Sequence, residues 1–291
     1  MTHTPIFRPP SEADSLILQV TYGCSHNRCT FCGMYKNTMF RLRPLEDILA
    51  EIQEISGKFP QTRRIFLADG DALILPLDRL LIILQALHSS FPKLARVSSY
   101  ATPKSLLLKT KEELQLLHRH GLSLLYVGIE SGDPAVLERI QKGASPQMIL
   151  DGCSRAMSAG MKLSVTIIIG LGGKEHSSEH IRHTADLISA ISPSYFNALT
   201  LMLFPGTPLY EEYEQQQFTP LTEREMLLEL LLLLETLAPK RSMIFRANHP
   251  SNLIPLEGTL PKHKEKLLQQ LKQLLPYADA YIKNTNNTGP Y

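Results

Sequence analysis

Cysteine is scarce: the chain of 291 residues has four, three of them between positions 24 and 32. Thiols so few and so clustered do not make a disulfide framework. They point to metal binding or redox work in a reducing compartment, and the cytoplasm is the expected location. Long apolar runs are also missing. No stretch reaches the roughly eighteen residues that a membrane helix needs. The richest, MLLELLLLLETLA at 226–238, is broken by Glu229 and Glu235 and reads as a buried helix. The opening MTHTPIFRPP has no apolar segment of the secretory kind, so no signal is expected there. A surplus of one charge is missing too. A net charge of +2 is too weak to argue for nucleic acid. No repeat recurs at solenoid periods. What remains is an ordinary globular composition, 43% hydrophobic and 20% charged, in a chain long enough for a sizeable core.

Short apolar runs alternate with helical patterns. Strands are expected at 15–20, 64–68, 96–100, 122–129, 163–169 and 195–203. Helices are expected near 45–56, 76–90, 110–119, 134–158 (split at Gly143 and Pro146) and 176–191. Strands separated by helices make βα units and a parallel sheet. Six strands suit either an open doubly wound sheet or an incomplete barrel, and periodicity does not separate the two. Both designs place function at the C-terminal strand ends. Beyond the sixth strand come the leucine helix (221–238), a polar stretch read as irregular, a helix near 261–275, and a tail, NTNNTGPY, expected to be disordered.

Cys24, Cys29 and Cys32 follow a Cys-x4-Cys-x2-Cys spacing just after the first strand. Three readings compete. Structural zinc wants four ligands, commonly two separated Cys-x2-Cys pairs, and only one pair is present. His26 is close but cramped, and Cys153 sits in a helical stretch where a small buried cysteine is the plainer reading. A thioredoxin-like pair would use Cys29 and Cys32 but leaves Cys24 unexplained. An iron–sulfur cluster held by three thiolates keeps one iron open for a small molecule.

At this point the sequence resembles the radical S-adenosylmethionine (SAM) superfamily over residues 15 to about 215. The usual family spacing is Cys-x3-Cys-x2-Cys with an aromatic before the last cysteine. Phe31 fills that aromatic position, while the first gap is one residue longer. After the second strand the family carries a Gly-Gly-Glu-like turn; here it reads ADGD, with Asp69, Gly70 and Asp71. VGIESGDPAVLERIQKG after the fourth strand looks like the branch of oxygen-independent coproporphyrinogen oxidases, methylthiotransferases and Elongator-type enzymes. IIIGLGG on the fifth strand and LFPGTPLY on the sixth are similar to further family motifs.

The resemblance implies a (β/α)6 partial TIM barrel at 15–215 with a helical C-terminal extension at 216–291. It implies one 4Fe–4S cluster on Cys24, Cys29 and Cys32, with SAM on the fourth iron. Reductive cleavage of SAM would give a 5′-deoxyadenosyl radical that takes hydrogen from a substrate. Asp69 and Asp71, flanking Gly70, would accept from the SAM amine, though Asp-Gly is also a common turn. Glu130 and Ser131 would meet the ribose or methionine end, though Ser131 also suits a helix cap, with Asp133 as rival. Lys142 would pair with the SAM carboxylate, or be a solvated surface lysine. Tyr100 and Thr166 would supply polar contacts, or be ordinary strand residues. Gly170, Gly172 and Gly173 would let backbone approach the adenine, or simply turn. His26, Arg28, Lys36, Arg41 and Arg43 form either a solvated loop or a docking patch for an acidic flavodoxin- or ferredoxin-type donor. Arg246, Asn248, His249, Ser251 and Asn252 line the substrate side or cap helix ends. One remaining cysteine leaves no second cluster. A small-molecule substrate is expected, with no membrane and no nucleic acid. The alternatives are a non-catalytic iron–sulfur or SAM-binding protein and a zinc-stabilised binding protein.

Overall fold

A computed structural model describes residues 6–277; the tail expected to be disordered lies outside these residues. Along the chain run β1 (Leu16–Gln19), β2 (Thr21–Tyr22), β3 (Arg41–Leu42), α1 (Leu45–Lys58), β4 (Arg64–Ala68), α2 (Leu77–Ser90), β5 (Arg96–Ala101), α3 (Pro103–Leu108), α4 (Lys111–Arg119) and β6 (Leu122–Glu130). Then follow α5 (Pro134–Arg139), α6 (Pro146–Ser158), β7 (Lys162–Ile169), α7 (Gly173–Ile191), β8 (Tyr195–Thr200), α8 (Pro208–Glu214), α9 (Glu223–Thr236), β9 (Met243–Ala247), β10 (Leu256–Leu260) and α10 (Lys264–Leu274). Eight strands form one sheet in the order β1-β4-β5-β6-β7-β8-β9-β10, with β2 and β3 as a separate hairpin. The fold is α/β, of the (β/α)6 partial TIM barrel class with a helical C-terminal region.

Two compact units divide the chain: residues up to 129 with 142–165, and 130–141 with 166 onward. In the first unit β1, β4, β5 and β6 pair in parallel, with Leu16 opposite Ile65 and Ile65 opposite Val97. Ile65, Phe66, Leu67 and Ala68 are all fully buried, as a strand covered on both faces must be. The helices carry their own end signals. Thr110 and Glu113 close a reciprocal cap on α4, and Pro stands in the first turn of α3 and α6. Before β1, Glu12 is fully buried. Arg96 Nη2 donates to both its oxygens (2.8 and 2.9 Å), as do Ser98 Oγ (3.0 Å) and the Tyr126 hydroxyl (2.6 Å) to one of them. That network locks the N-terminal segment beneath β5 and β6.

In the second unit β8 pairs with β9 in parallel and β9 with β10 antiparallel. These last two strands correct the reading of an irregular polar stretch after the leucine helix. Met243, Phe245 and Ala247 are buried while Ile244 and Arg246 are not, which is the alternation of a strand with one covered face. Arg246 and the polar residues beyond it mask that pattern in the sequence. The last barrel strand is also shorter than 195–203, ending at Thr200.

Candidate functional site

The cysteine loop is closed at its base by β2 and β3, where Tyr22 pairs with Arg41 and the Arg41 guanidinium lies 4.3 Å over the Tyr22 ring. Gly23 enters the loop at φ +70°, and a Cβ there would sit 2.9 Å from the Thr38 carbonyl oxygen. Cys32 N donates to Cys29 O (3.2 Å), turning the chain between these two thiols. The four-residue gap bends at Asn27, which takes a left-handed φ of +44° that Asn tolerates better than most residues. Its side-chain amide donates to Tyr35 O (3.0 Å).

Beneath the loop lies the Asp-Gly-Asp turn at the end of β4. Both carboxylates are fully buried. Asp69 accepts from the Tyr35 hydroxyl (2.9 Å) and from Gln19 Nε2 (2.8 Å). Asp71 accepts from Ser25 Oγ (2.6 Å), Thr102 Oγ1 (2.9 Å) and Thr102 N (3.3 Å). Burial pushes both carboxyls above their ordinary range, and these donors oppose the rise. Gly70 is packed so closely that a Cβ would lie 2.8 Å from both Cys24 Cβ and a Tyr35 ring carbon. The turn is thus the floor on which Cys24 and Ser25 stand.

His26 leans on Gly143, whose Cβ would come within 2.5 Å of the imidazole, so the turn carrying Lys142 lies against the cysteine loop. Tyr100, at the end of β5, packs edge-on to Phe66 (5.0 Å) and Tyr126 (6.2 Å), and burial pushes its phenol up. Arg43 is committed locally, donating to Gln19 O (3.0 Å) and pairing with Glu51. Cys153 is a buried thiol pushed up to about 12, inert in α6. Among the described residues no three His, Cys, Asp or Glu side chains converge as a single bound ion requires. Iron–sulfur clusters are held by cysteine thiolates. The donor set of three half-buried thiols on one loop fits such a cluster. A cavity of about 890 Å³, lined by Phe59, Arg63, Arg64 and Arg96 among others, lies at the N-terminal ends of β1, β4 and β5, the other end from Cys24.

In the second unit, Glu130 ends β6 buried, with a left-handed φ of +65°. The next residues are riveted to α7. Ser131 Oγ meets His180 Nδ1 at 2.8 Å and accepts from Asp133 N (2.9 Å). His180 Nε2 lies 3.0 Å from Ile168 O. Burial pushes His180 down to about 4, so it is neutral, donates from Nε2 to that carbonyl and accepts the Ser131 proton. Gly132 N donates to Thr184 Oγ1 (2.8 Å). Asp133 caps α5 through Val136 N (2.9 Å) and pairs with His183 (2.6 Å). Asp133 is therefore the cap of α5, and the Ser131 hydroxyl is engaged both as donor and acceptor. His180 and Thr184 were not singled out in the sequence, although their four-residue spacing with Ile188 puts them on one helix face.

Gly170, at φ +83°, donates its N–H to Glu229 Oε2 (2.7 Å) on α9. Burial pushes the Glu229 carboxyl up to about 7. Thr166 is half-buried within β7. The polar set at 245–252 ties down β8: Ser251 Oγ accepts from Thr200 N (3.2 Å), Asn252 Nδ2 donates to Ala198 O (3.0 Å), and Arg246 lies over Tyr195 (5.6 Å).

Parallel βα units with a cysteine loop at the end of the first strand are the frame of the radical SAM superfamily, whose family model matches residues 18–188; the chain belongs to it. The fold implies an iron–sulfur cluster and SAM, and enzymes of this kind need a reductant and a substrate. The chain is similar to an uncharacterised methyltransferase of Pyrococcus horikoshii, 24% identical over 200 residues that cover 67% of this chain and 41% of that protein. It is also similar to the heme chaperone HemW of Bacillus subtilis, 20% identical over 194 residues covering 64% and 50%. It spans half or less of the length of these relatives. Among solved structures, methylornithine synthase shares the fold with a TM-score of 0.53 at 17% identity, covering 77% of this chain and 63% of that one. Coproporphyrinogen III oxidase of Escherichia coli does so with 0.56 at 14% identity, covering 76% and 52%. Among the described residues no helix is long and apolar enough to cross a membrane.

Proposed function

We propose that the chain holds a single 4Fe–4S cluster on Cys24, Cys29 and Cys32 and uses it with SAM to remove hydrogen from a small or medium-sized metabolite. One observation carries this reading: three half-buried thiols share a loop closed at its base and floored by the buried turn at Asp69–Asp71. When bound, the cluster and SAM supply the reductive cleavage and the 5′-deoxyadenosyl radical. The chain supplies position. The extra residue of the first cysteine gap is taken up by the left-handed bend at Asn27. Asp69 and Asp71 hold the loop through Tyr35 and Ser25 and put negative charge below it, suited to a cationic amine. By the resemblance, Phe31, Gly70, Tyr100 and Lys142 are proposed SAM contacts, and the same resemblance gives that role to Glu130, Thr166 and Gly170. Ser131 acts by position, through His180.

The reading extends to the rest of the protein. Residues 15–215 form the catalytic core and 216–291 the extension. An acidic flavodoxin- or ferredoxin-type donor meets the basic side of the cysteine loop, where Arg28, Lys36 and Arg41 are exposed. The working compartment is the cytoplasm. The test is anaerobic reconstitution followed by incubation with dithionite and SAM. Release of 5′-deoxyadenosine is expected, and it is lost in Cys24→Ala, Cys29→Ala and Cys32→Ala. A reducible cluster that leaves SAM intact would mark the non-catalytic reading instead. One zinc without sulfide would mark the zinc-stabilised one.

A further inference from the structure

Thr30 lies between two of the three thiols, in the turn closed by the Cys32 N to Cys29 O bond of 3.2 Å. The residue is only 3% exposed, and its Oγ1 is a buried hydroxyl with no hydrogen-bond partner among the described residues. Buried hydroxyls are rarely left this way, because the lost hydration is not repaid. Two polar side chains of the same loop are engaged elsewhere. Ser25 donates to Asp71 and Asn27 to the Tyr35 carbonyl. Cys29 and Cys32, which bracket Thr30 in the chain, are two of the three thiols that would carry the cluster. A β-branched residue also has few rotamers with which to turn its hydroxyl out to solvent.

We propose that Thr30 is a tuning residue: its hydroxyl donates to a sulfur of the cluster and raises the cluster's reduction potential. The inference rests on the cluster reading above. Reduction adds negative charge to the cluster, so a donor aimed at its sulfurs favours the reduced form, and hydrogen bonds to the sulfurs are among the factors that set such potentials. Thr30→Val keeps the shape and removes the donor. Thr30→Ser keeps the donor and removes a methyl group.

The experiment is a redox titration of the reconstituted protein without SAM, following the EPR signal of the reduced cluster. At the potential that half-reduces the wild type, Thr30→Val should show about a tenfold lower ratio of reduced to oxidised cluster, a midpoint about 59 mV more negative for a one-electron couple. Thr30→Ser should return to within about threefold of wild type, as the conservative variant of a hydroxyl donor does. If Thr30→Val fails to retain iron, Thr30→Ala is titrated in its place with the same expectation. A valine or alanine variant with wild-type iron content and a wild-type midpoint overturns the inference. A wild-type chain that takes up no iron overturns the cluster reading itself, and this inference with it.

Discussion

At the scale of single residues, Gly70 and Asn27 set how much latitude the cysteine loop has. A Cβ at position 70 would press on Cys24 and Tyr35 from 2.8 Å, and neither neighbour is a loose side-chain end. Gly70→Ala should cost about 1–3 kcal/mol of stability and lower the iron retained per chain, read by thermal melting and iron assay. Asn27 sits at φ +44°. Both Asn27→Gly and Asn27→Val lose the amide bond to Tyr35 O, and Asn27→Val should cost about 1–2 kcal/mol more than Asn27→Gly because only valine is strained at this φ; urea unfolding of both decides. The cysteines and the two aspartates stand out in the sequence by spacing and residue type. The partners that hold them do not. Tyr35 reaches Asp69 across 34 residues and Ser25 reaches Asp71 across 46, and no local pattern announces such pairs.

At the scale of elements, the joints between helices and strand ends carry two buried titrating groups of opposite sense. His180 drops from its ordinary 6.5 to about 4. Its neutral form is the folded one, so its contribution is complete above pH 6.5 and is lost as pH falls through about 4. Glu229 rises from 4.5 to about 7. The protonated form is the folded one, so its contribution is complete below pH 4.5 and is lost as pH rises through about 7. Each shift corresponds to roughly 3 kcal/mol at most. Glu229→Gln, which keeps an acceptor for Gly170 N, should therefore gain stability relative to wild type between pH 5 and pH 8, measured by urea unfolding at both. A difference that stays flat with pH would refute the assignment. Gly132→Ala, whose Cβ would meet the His183 carbonyl at 2.4 Å, should be among the most destabilising single changes in the second unit, at roughly 3 kcal/mol or more. Six strands and their helices were legible from apolar runs and periodicity. β9 and β10 were not, because short half-exposed strands carrying arginine and flanked by polar loops resemble irregular chain.

At the scale of the whole molecule, family membership supports SAM-dependent radical chemistry in general. The relatives differ in what they are named for, and the chain matches half or less of the curated ones quoted above. The fold was legible because strands, helices and motifs follow one order; the choice of partial barrel over open sheet came from the motifs, since strand count alone allows both. The assembled claim is that three thiols hold a cluster with one iron left open to SAM. EPR of the reconstituted, dithionite-reduced protein with and without SAM tests it most directly. A reduced-cluster signal that changes shape when SAM is added is expected, and no such signal once Cys24, Cys29 or Cys32 is replaced by Ala. A signal indifferent to SAM, or a cluster that survives loss of each of these cysteines, would contradict it.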